Sequence, residues 1–474
     1  MAKYKAYPEY KYSGVEWLGM IPTEWKISHF KWLTNDGKAF ASGPFGSSIG
    51  SKFYQECGVP VIRGNNLSIN GEKPFFKDSG YVYLDDAKAN ELSNAEVIAG
   101  DLVFTARGTV GQVGLIPTDN SLSWSRAILS ANQLRFRSDS EKNNSNYLWY
   151  QFSSWFIRTQ ITLSSDSVAQ PNLNLGSLKS LNIIIPPLSV QKTIANFLEH
   201  ETAKIDNLIE NQKKLIELLN EKRQAVISHA VTKGLNPDVP MKNSGVEWLG
   251  KVPEHWVVCA IKHIVSTPIT DGPHETPDFI DDGIPFISAE AISSGFIDFD
   301  KKRACISIRD HKRFSKKYSP QFNDIYMVKS GATTGITAIV ETYDDFNIWS
   351  PLAVIRCNEY SNPYFVINFL RSKQFQTAIE LNWSYGTQQN IGMGVIGNLH
   401  IARPPVSEAI DIADYLRAKC AKLDELINIS IRQISIMQER RIALISAAVT
   451  GKIDVRDWVA PDTQDVEEPL EATA

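Results

Sequence analysis

Four short loops, each present twice, hold the side chains of this chain best suited to touch another molecule. SGPFGSSIGSK (42–52) stands beside TDGPHETPD (270–278), and RGNNLSING (63–71) beside SAEAISSG (288–295). TARGTVGQ (105–112) stands beside VKSGATTG (328–335), and SVAQPNLN (167–174) beside YGTQQNIG (385–392). Glycines and other backbone punctuation keep their places while the side chains between them change, as expected of two binding heads for two different ligands. Were the ligand a nucleic acid, such side chains would have to reach base edges. Arg and Lys match guanine O6 and N7, Asn and Gln match adenine N6 and N7, and Glu can accept from cytosine N4. In the first head the candidates are Lys52, Arg63, Asn65, Asn66, Arg107, Gln170 and Asn172, assisted by Ser47, Ser48 and Thr109. In the second they are His274, Thr276, Glu290, Lys329, Thr333, Thr334, Gln388, Gln389 and Asn390. Taken singly, each is equally suited to hold a turn or sit solvated, because loops favour these types. The set carries the expectation.

No catalytic constellation accompanies these loops. The chain has no GxxxxGK[ST] phosphate loop, no GxGxxG after a strand and no HExxH. Ser361-Asn362-Pro363-Tyr364 is like the Asn-Pro-Pro-Tyr of adenine methyltransferases but lacks the second proline, and reads as a turn and helix cap. Gly108, Gly111 and Gly114 have the spacing of no nucleotide loop. His255, Cys259 and His263 fall four apart, yet the repeat puts Glu24, Ser28 and Trp32 there, and no metal site is assigned. Five scattered cysteines without a CxxC pair read as reduced thiols. With no apolar run near membrane-spanning length and no signal-peptide pattern, a cytoplasmic protein is expected.

The loops must be held by something, and the repeats say what. SGVEWLGMIPTEW (13–25) returns as SGVEWLGKVPEHW (244–256), a tandem duplication. Each copy of this clasp is expected to pack Trp17 and Leu18, or their counterparts, on the end of a long rod. The rods follow the heads. PPLSVQKTIANFLEHETAKIDNL opens the first and PPVSEAIDIADYLRAKCAKLDEL the second, superposed by a shift of 218 residues. Each opens on two prolines and a serine and closes at a glycine. The apolar repeat predicts a seam of Leu198, Ile205, Leu208, Leu215, Leu219 and Val226 against Leu416, Leu423, Leu426, Met437 and Leu444, interrupted only at Gln433. Two such rods in one chain predict an intramolecular coiled coil.

The heads carry short β-rich runs at matching places: GVPVIR and GIPFIS, GDLVFTA and NDIYMVK, LNIII and LHIA. One helix is expected in each, at 147–160 and 364–377. The fold class is α+β, a pseudo-twofold tandem repeat of two mainly-β domains separated by two long helices. Its parts are a clasp (1–20), a first head (21–185), the central helix (186–235), a second clasp (236–253), a second head (254–403), the C-terminal helix (404–451) and an acidic, disordered tail (452–474).

Charge argues for help from partners. Of 49 basic and 53 acidic residues, five acids lie in the tail, so the rest is near neutral. A protein gripping DNA alone through phosphates should be strongly basic. The run KKRACISIRDHKRFSKKY (301–318) is the densest positive stretch, suited to phosphates or to a solvated helix face.

Taken in this order, SGVEWLGMIP and SGVEWLGKVP, SGPFGS and DGPHETP, ARGTVG and KSGATTG, and the two rod openings resemble the specificity subunit of Type I restriction-modification enzymes, over nearly all of residues 10–457. The resemblance implies two target-recognition domains held apart by antiparallel helices, each reading one half of a bipartite site in double-stranded DNA. It implies two modification subunits using S-adenosylmethionine and two restriction subunits using ATP and Mg2+. The chain itself would bind no cofactor and catalyse nothing. A coiled-coil adaptor whose heads bind protein partners is the alternative.

Overall fold

The computed structural model describes residues 4–67, 75–109, 111–164, 172–385 and 389–460. It divides into two units, Met1–Asn211 with Gln433–Ala474, and Gln212–Arg432. Each holds one head, one clasp, and half of each rod.

In the first unit an antiparallel sheet runs in the order Phe40–Ser42, Gln133–Phe136, Leu102–Thr105, Val113–Leu115. A second sheet orders Tyr83–Leu84, Val59–Ile62, Ala127–Leu129 and Glu96–Val97, its two central strands parallel. The other unit repeats the plan with Thr270–Asp271, Leu352–Ile355, Ile325–Val328 and Thr337–Ile339. Its second sheet again has one parallel pair, Ile284–Ile287 with Asn347–Ile348. The central strands read as unbroken apolar runs because both faces are covered. Leu102 and Phe104 enter one core and Val103 another; Ile325 and Met327 likewise part from Tyr326 and Val328. Side chains alternating across the pleat thus feed two cores from one strand. A buried ion pair recurs too, Asp101 with Arg137 at 2.8 Å and Asp324 with Arg356 at 2.7 Å.

The single helix expected in each head is two. Ser145–Phe152 and Trp155–Ser164 are parted at Ser153 and Ser154, and Pro363–Leu370 and Lys373–Asn382 at Arg371 and Ser372. Ser372 Oγ caps the second helix through Phe375 N. Serine favours such local bonding over helix continuation. Asn362 caps its helix, accepting from Phe365 N at 3.0 Å with Pro363 in the first turn, as Asn144 does for Tyr147 N.

The rods are continuous helices, Leu188–Lys233 and Val406–Val449. They are antiparallel within each unit. In the first, Ile194 to Leu198 share a core with Ile445 to Val449, while Asp206 meets Arg441. In the second, Ile227 to Val231 share a core with Ala409 to Leu416, while Arg223 lies 3.6 Å from Asp424. Those two ion pairs are the same pair under the 218-residue shift.

The seam needs correction. Leu208, Leu215 and Leu426 are 53%, 41% and 48% exposed. The shielded positions run Leu198, Thr202, Ile205, Ile209, Gln212, Ile216, Leu219, Arg223 and Val226, each matched at the 218-residue shift by Leu416, Cys420, Leu423, Ile427, Ser430, Ile434, Met437, Arg441 and Leu444. The steps alternate four and three without a break, the strict period of a coiled-coil stripe. The expected Leu208, Leu215 and Leu426 each stand one position before a shielded isoleucine, Ile209, Ile216 and Ile427, and the stripe passes through the polar Gln212 and Arg223. Gln433, the expected interruption, is exposed and off the stripe.

The clasp differs as well. Leu18 and Leu249 are buried, but Trp17 packs on Trp155 and Phe156 of the head. The rod ends are met instead by Trp25 and Trp256. A Cβ on Gly451 would lie 3.1 Å from Trp25 and one on Gly234 3.5 Å from Trp256, both glycines at positive φ. Past the second rod, in the stretch expected to begin the disordered tail, Ile453 and Val455 are buried, Asp454 N donates to Lys5 O at 2.7 Å, and Trp458 meets Phe197 and His200. The acidic residues 461–474 lie outside the described residues. Among the described residues no helix is long and apolar enough to cross a membrane.

Candidate nucleic-acid interface

The third and fourth loops are joined by the same backbone bridge in both heads. Arg107 pairs with Asn172 in the first and Ser330 with Asn390 in the second. Beside each bridge a further bond repeats, Leu173 N to Ala106 O and Ile391 N to Lys329 O, both 2.9 Å. The two loops therefore present their side chains from one shared edge, set by strand register.

In the first head a hollow of about 650 Å³ lies between the loops. Arg63 and Asn65 from the second loop line it with Arg107 and Thr109 from the third, and Gly46, Ile49 and Gly50 come from the first. Asn65, Arg107 and Thr109 are exposed, as a reading residue must be. Ser47, Ser48 and Lys52 stand near the hollow in short turns but do not line it; Lys52 Nζ lies over the Phe53 ring at 4.8 Å. Asn172 is exposed at the bridge, and Gln170 lies outside the described residues.

Two expectations change here. Asn66 is fully buried, its Oδ1 accepting from Arg63 N and its Nδ2 donating to Lys77 O and Ser79 O, each at 2.9 Å. It ties down a turn, and no base can reach it. Arg63 is half turned away, its guanidinium donating to Gly80 O at 2.6 Å.

The floor holds residues that were not among the candidates. Thr105 Oγ1 donates to Gln112 Oε1 at 3.4 Å, and Gln133 bonds Ser130. By strand register Thr105 and Gln133 correspond to Val328 and Leu352. A polar pair standing where the duplicate has an apolar one was the available signal.

The second head organises its loops through charge. Lys329, expected to reach a base, has a largely buried side chain 3.3 Å from Asp271, which is itself 1% exposed. His274 is exposed and lies 3.0 Å from the same carboxylate. Glu290 lies 3.5 Å from Arg303, whose guanidinium sits over Trp349. Thr334 is buried and bonds Gly331 O at 2.7 Å, so it holds its turn. Thr333 is half-buried and Thr276 exposed. Gln389 and Asn390 form a short strand opposite Ser384–Tyr385; Gln388 lies outside the described residues.

The basic run is partly paired, while Lys302, Arg309, Lys312 and Lys316 stand exposed. Arg313 lies within 3.3 Å of Glu275 and 2.9 Å of Asp310, and Lys317 within 2.6 Å of Asp271. Acids of the first two loops are thus paired to bases of the run, which explains how a nearly neutral head can keep ordered cations. His255 bonds Glu408 at 2.7 Å, and among the described residues no cluster of His, Cys, Asp or Glu is arranged to hold a metal. All five thiols are unbridged.

Residues 54–220 match the family model described as Type I restriction modification DNA specificity domain. The chain is 23% identical over 362 residues to the Type I restriction enzyme EcoBI specificity subunit of Escherichia coli, covering 73% of this chain and 74% of that protein. It is 24% identical over 477 residues to the MjaIX specificity subunit of Methanocaldococcus jannaschii, 96% of this chain and 99% of that one. Among solved structures, a chain from work on assembly and conformational transition of the type I R-M system superposes with a TM-score of 0.68 at 16% identity, covering 91% and 99%.

Proposed function

We infer that this chain is a specificity subunit of the Type I restriction-modification family, a DNA sequence-recognition subunit without catalysis of its own. The observation that carries the reading is the duplicated head: one backbone arrangement, repeated to the level of the loop-joining bridges, presents unlike side chains. A scaffold that is kept while its contact residues diverge suits two short sequences read by one protein.

Each head reads one half of a bipartite site. In the first, Arg107 supplies guanine-matching donors and Asn65 and Asn172 an adenine-matching edge, with Arg63 and Thr109 beside them. In the second, His274, Gln389 and Asn390 lead, and Lys317 and Arg313 add positive charge. Each mismatched base pair costs about 1 to 3 kcal/mol, so two heads acting on one duplex sum penalties that neither could supply alone. The paired helices set the gap between the half-sites.

The methyl transfer to adenine N6 and the ATP-driven cleavage belong to partner subunits, two for modification and two for restriction, which bring S-adenosylmethionine, ATP and Mg2+. Apolar side chains left uncovered on the rods support protein partners. In the first unit they include Leu208, Ile436 and Ile442; in the second, Leu215, Leu218, Leu426, Ile429 and Ile431. Exposed leucines and isoleucines at helical spacing invite another helix. Work on DNA places the complex in the cytoplasm.

Methylation sequencing of cells carrying this chain with its modification partner tests the reading. A split adenine-methylated motif is expected. No motif would favour the adaptor.

A further inference from the structure

The second head builds a charge cluster around a buried carboxylate that its own duplicate does without. Asp271 pairs in register with Ala353, and at the corresponding place in the first head Ser42 pairs with Leu134. Lys329 and Ala106 correspond in the same way, each following its strand and each donating its N–H across to a loop carbonyl at 2.8 Å, Pro351 O and Asn132 O. One backbone arrangement thus holds Ser and Ala in one head, Asp and Lys in the other.

Around Asp271 two ammonium groups and an imidazole converge. Lys317 Nζ donates to it at 2.6 Å and to Gly272 O at 2.9 Å, Lys329 Nζ lies at 3.3 Å and His274 Nε2 at 3.0 Å. Burial alone would raise the Asp271 carboxyl; Lys317 and then Lys329 outweigh it and hold it below the ordinary aspartate range. A buried ion cluster gains little over an apolar filling of similar shape. Folding therefore does not account for it, since the duplicate folds without one.

What lies above the carboxylate does account for it. His274 and Lys317 line a hollow of about 370 Å³ together with Arg313, Phe314, Pro273 and Glu275. An ammonium has three N–H groups, and Lys317 gives two to Asp271 and Gly272, so the direction of the third is set. The imidazole Nε2 stands 3.0 Å from the same carboxylate, on the rim of the hollow.

We propose that Asp271 is a positioning residue for the half-site read by the second head, aiming Lys317 and His274 at acceptor oxygens or nitrogens of the DNA. The proposal rests on the specificity-subunit reading above. The acceptor is either guanine O6/N7 or a backbone phosphate, and the two part cleanly in the test.

Asp271→Ser, the double variant Asp271→Ser with Lys329→Ala, and the rim variants His274→Ala and Lys317→Ala are each assembled with the modification subunit. Methylated motifs and methylation rates on plasmid DNA are compared across salt concentrations. If the acceptor is guanine, discrimination at one position of the second half-site falls roughly tenfold. If it is a phosphate, methylation weakens at every site with a shallower salt dependence. In either case the first half-site keeps its bases. The rim side chains are well exposed, so their variants report even where an Asp271 variant melts early. Rim variants that methylate like wild type overturn the proposal, as do folded Asp271 variants unchanged in motif, rate and salt dependence. A wild-type complex with no split motif sinks the underlying reading instead.

Discussion

Asn66 and Arg107 occupy neighbouring loops and have opposite tasks. Asn66 satisfies one buried N–H and two carbonyls through a single amide, so Asn66→Ala should destabilise the first unit by about 3 kcal/mol, read as a shifted urea midpoint. Arg107 is exposed on the rim of the hollow. Arg107→Ala should leave stability within about 0.5 kcal/mol and relax one position of the first half-site in methylation sequencing. If both variants lose stability equally, the division between turn anchor and reading residue is wrong. Acid should act on the paired carboxylates. Burial raises Glu201, Asp271 and Asp454, but Lys204, Lys317 and Arg456 respectively outweigh it and hold all three below their ordinary range. Their stabilisation is complete above the unfolded values near pH 4 and is lost as pH falls through the depressed ones. Melting temperature should therefore hold from pH 7 to about pH 5 and drop below about pH 4.

The rods carry two stripes with different tasks. Leu219 is on the shielded stripe and Leu215, four positions earlier, is off it. Leu219→Ala should cost about 2 to 3 kcal/mol in the isolated chain. Leu215→Ala should cost the isolated chain well under 1 kcal/mol yet weaken assembly with the modification subunit, measured by sedimentation or light scattering. The unbroken four-and-three alternation also says how length can change. Adding seven residues to both rods keeps the stripe in phase and lengthens each helix by about 10 Å, roughly three base pairs. The methylated motif of such a variant should keep both half-sites and gain about three base pairs of gap, whereas an insertion of two residues should disrupt the stripe.

For the whole molecule, modularity follows from the way each head closes on itself. Each has its own sheets and cores, and its Asp–Arg pair recurs in the other. Exchange of residues 254–403 for another head should change one half-site only, as read by methylation sequencing. A site altered in both halves would refute independent heads.

Repetition and local periodicity were readable without coordinates: the doubled clasp, the paired loops, the glycine stops at Gly234 and Gly451, and two long helices. Each is a comparison of the chain with itself or a pattern within a few turns. The family resemblance rested on that same order. What only the tertiary structure decided was direction. One step along a helix turns a side chain by about 100°, so Leu215 and Ile216 look alike in a list of apolar residues and face different ways. Asn66, Thr334 and Lys329 have the composition of reading residues, but Asn66 and Thr334 spend their polar groups on turns and Lys329 faces the distant Asp271. The acid that gathers Lys317 and Lys329 belongs to another loop altogether, because such charge pairing joins residues far apart along the chain and carries no local mark.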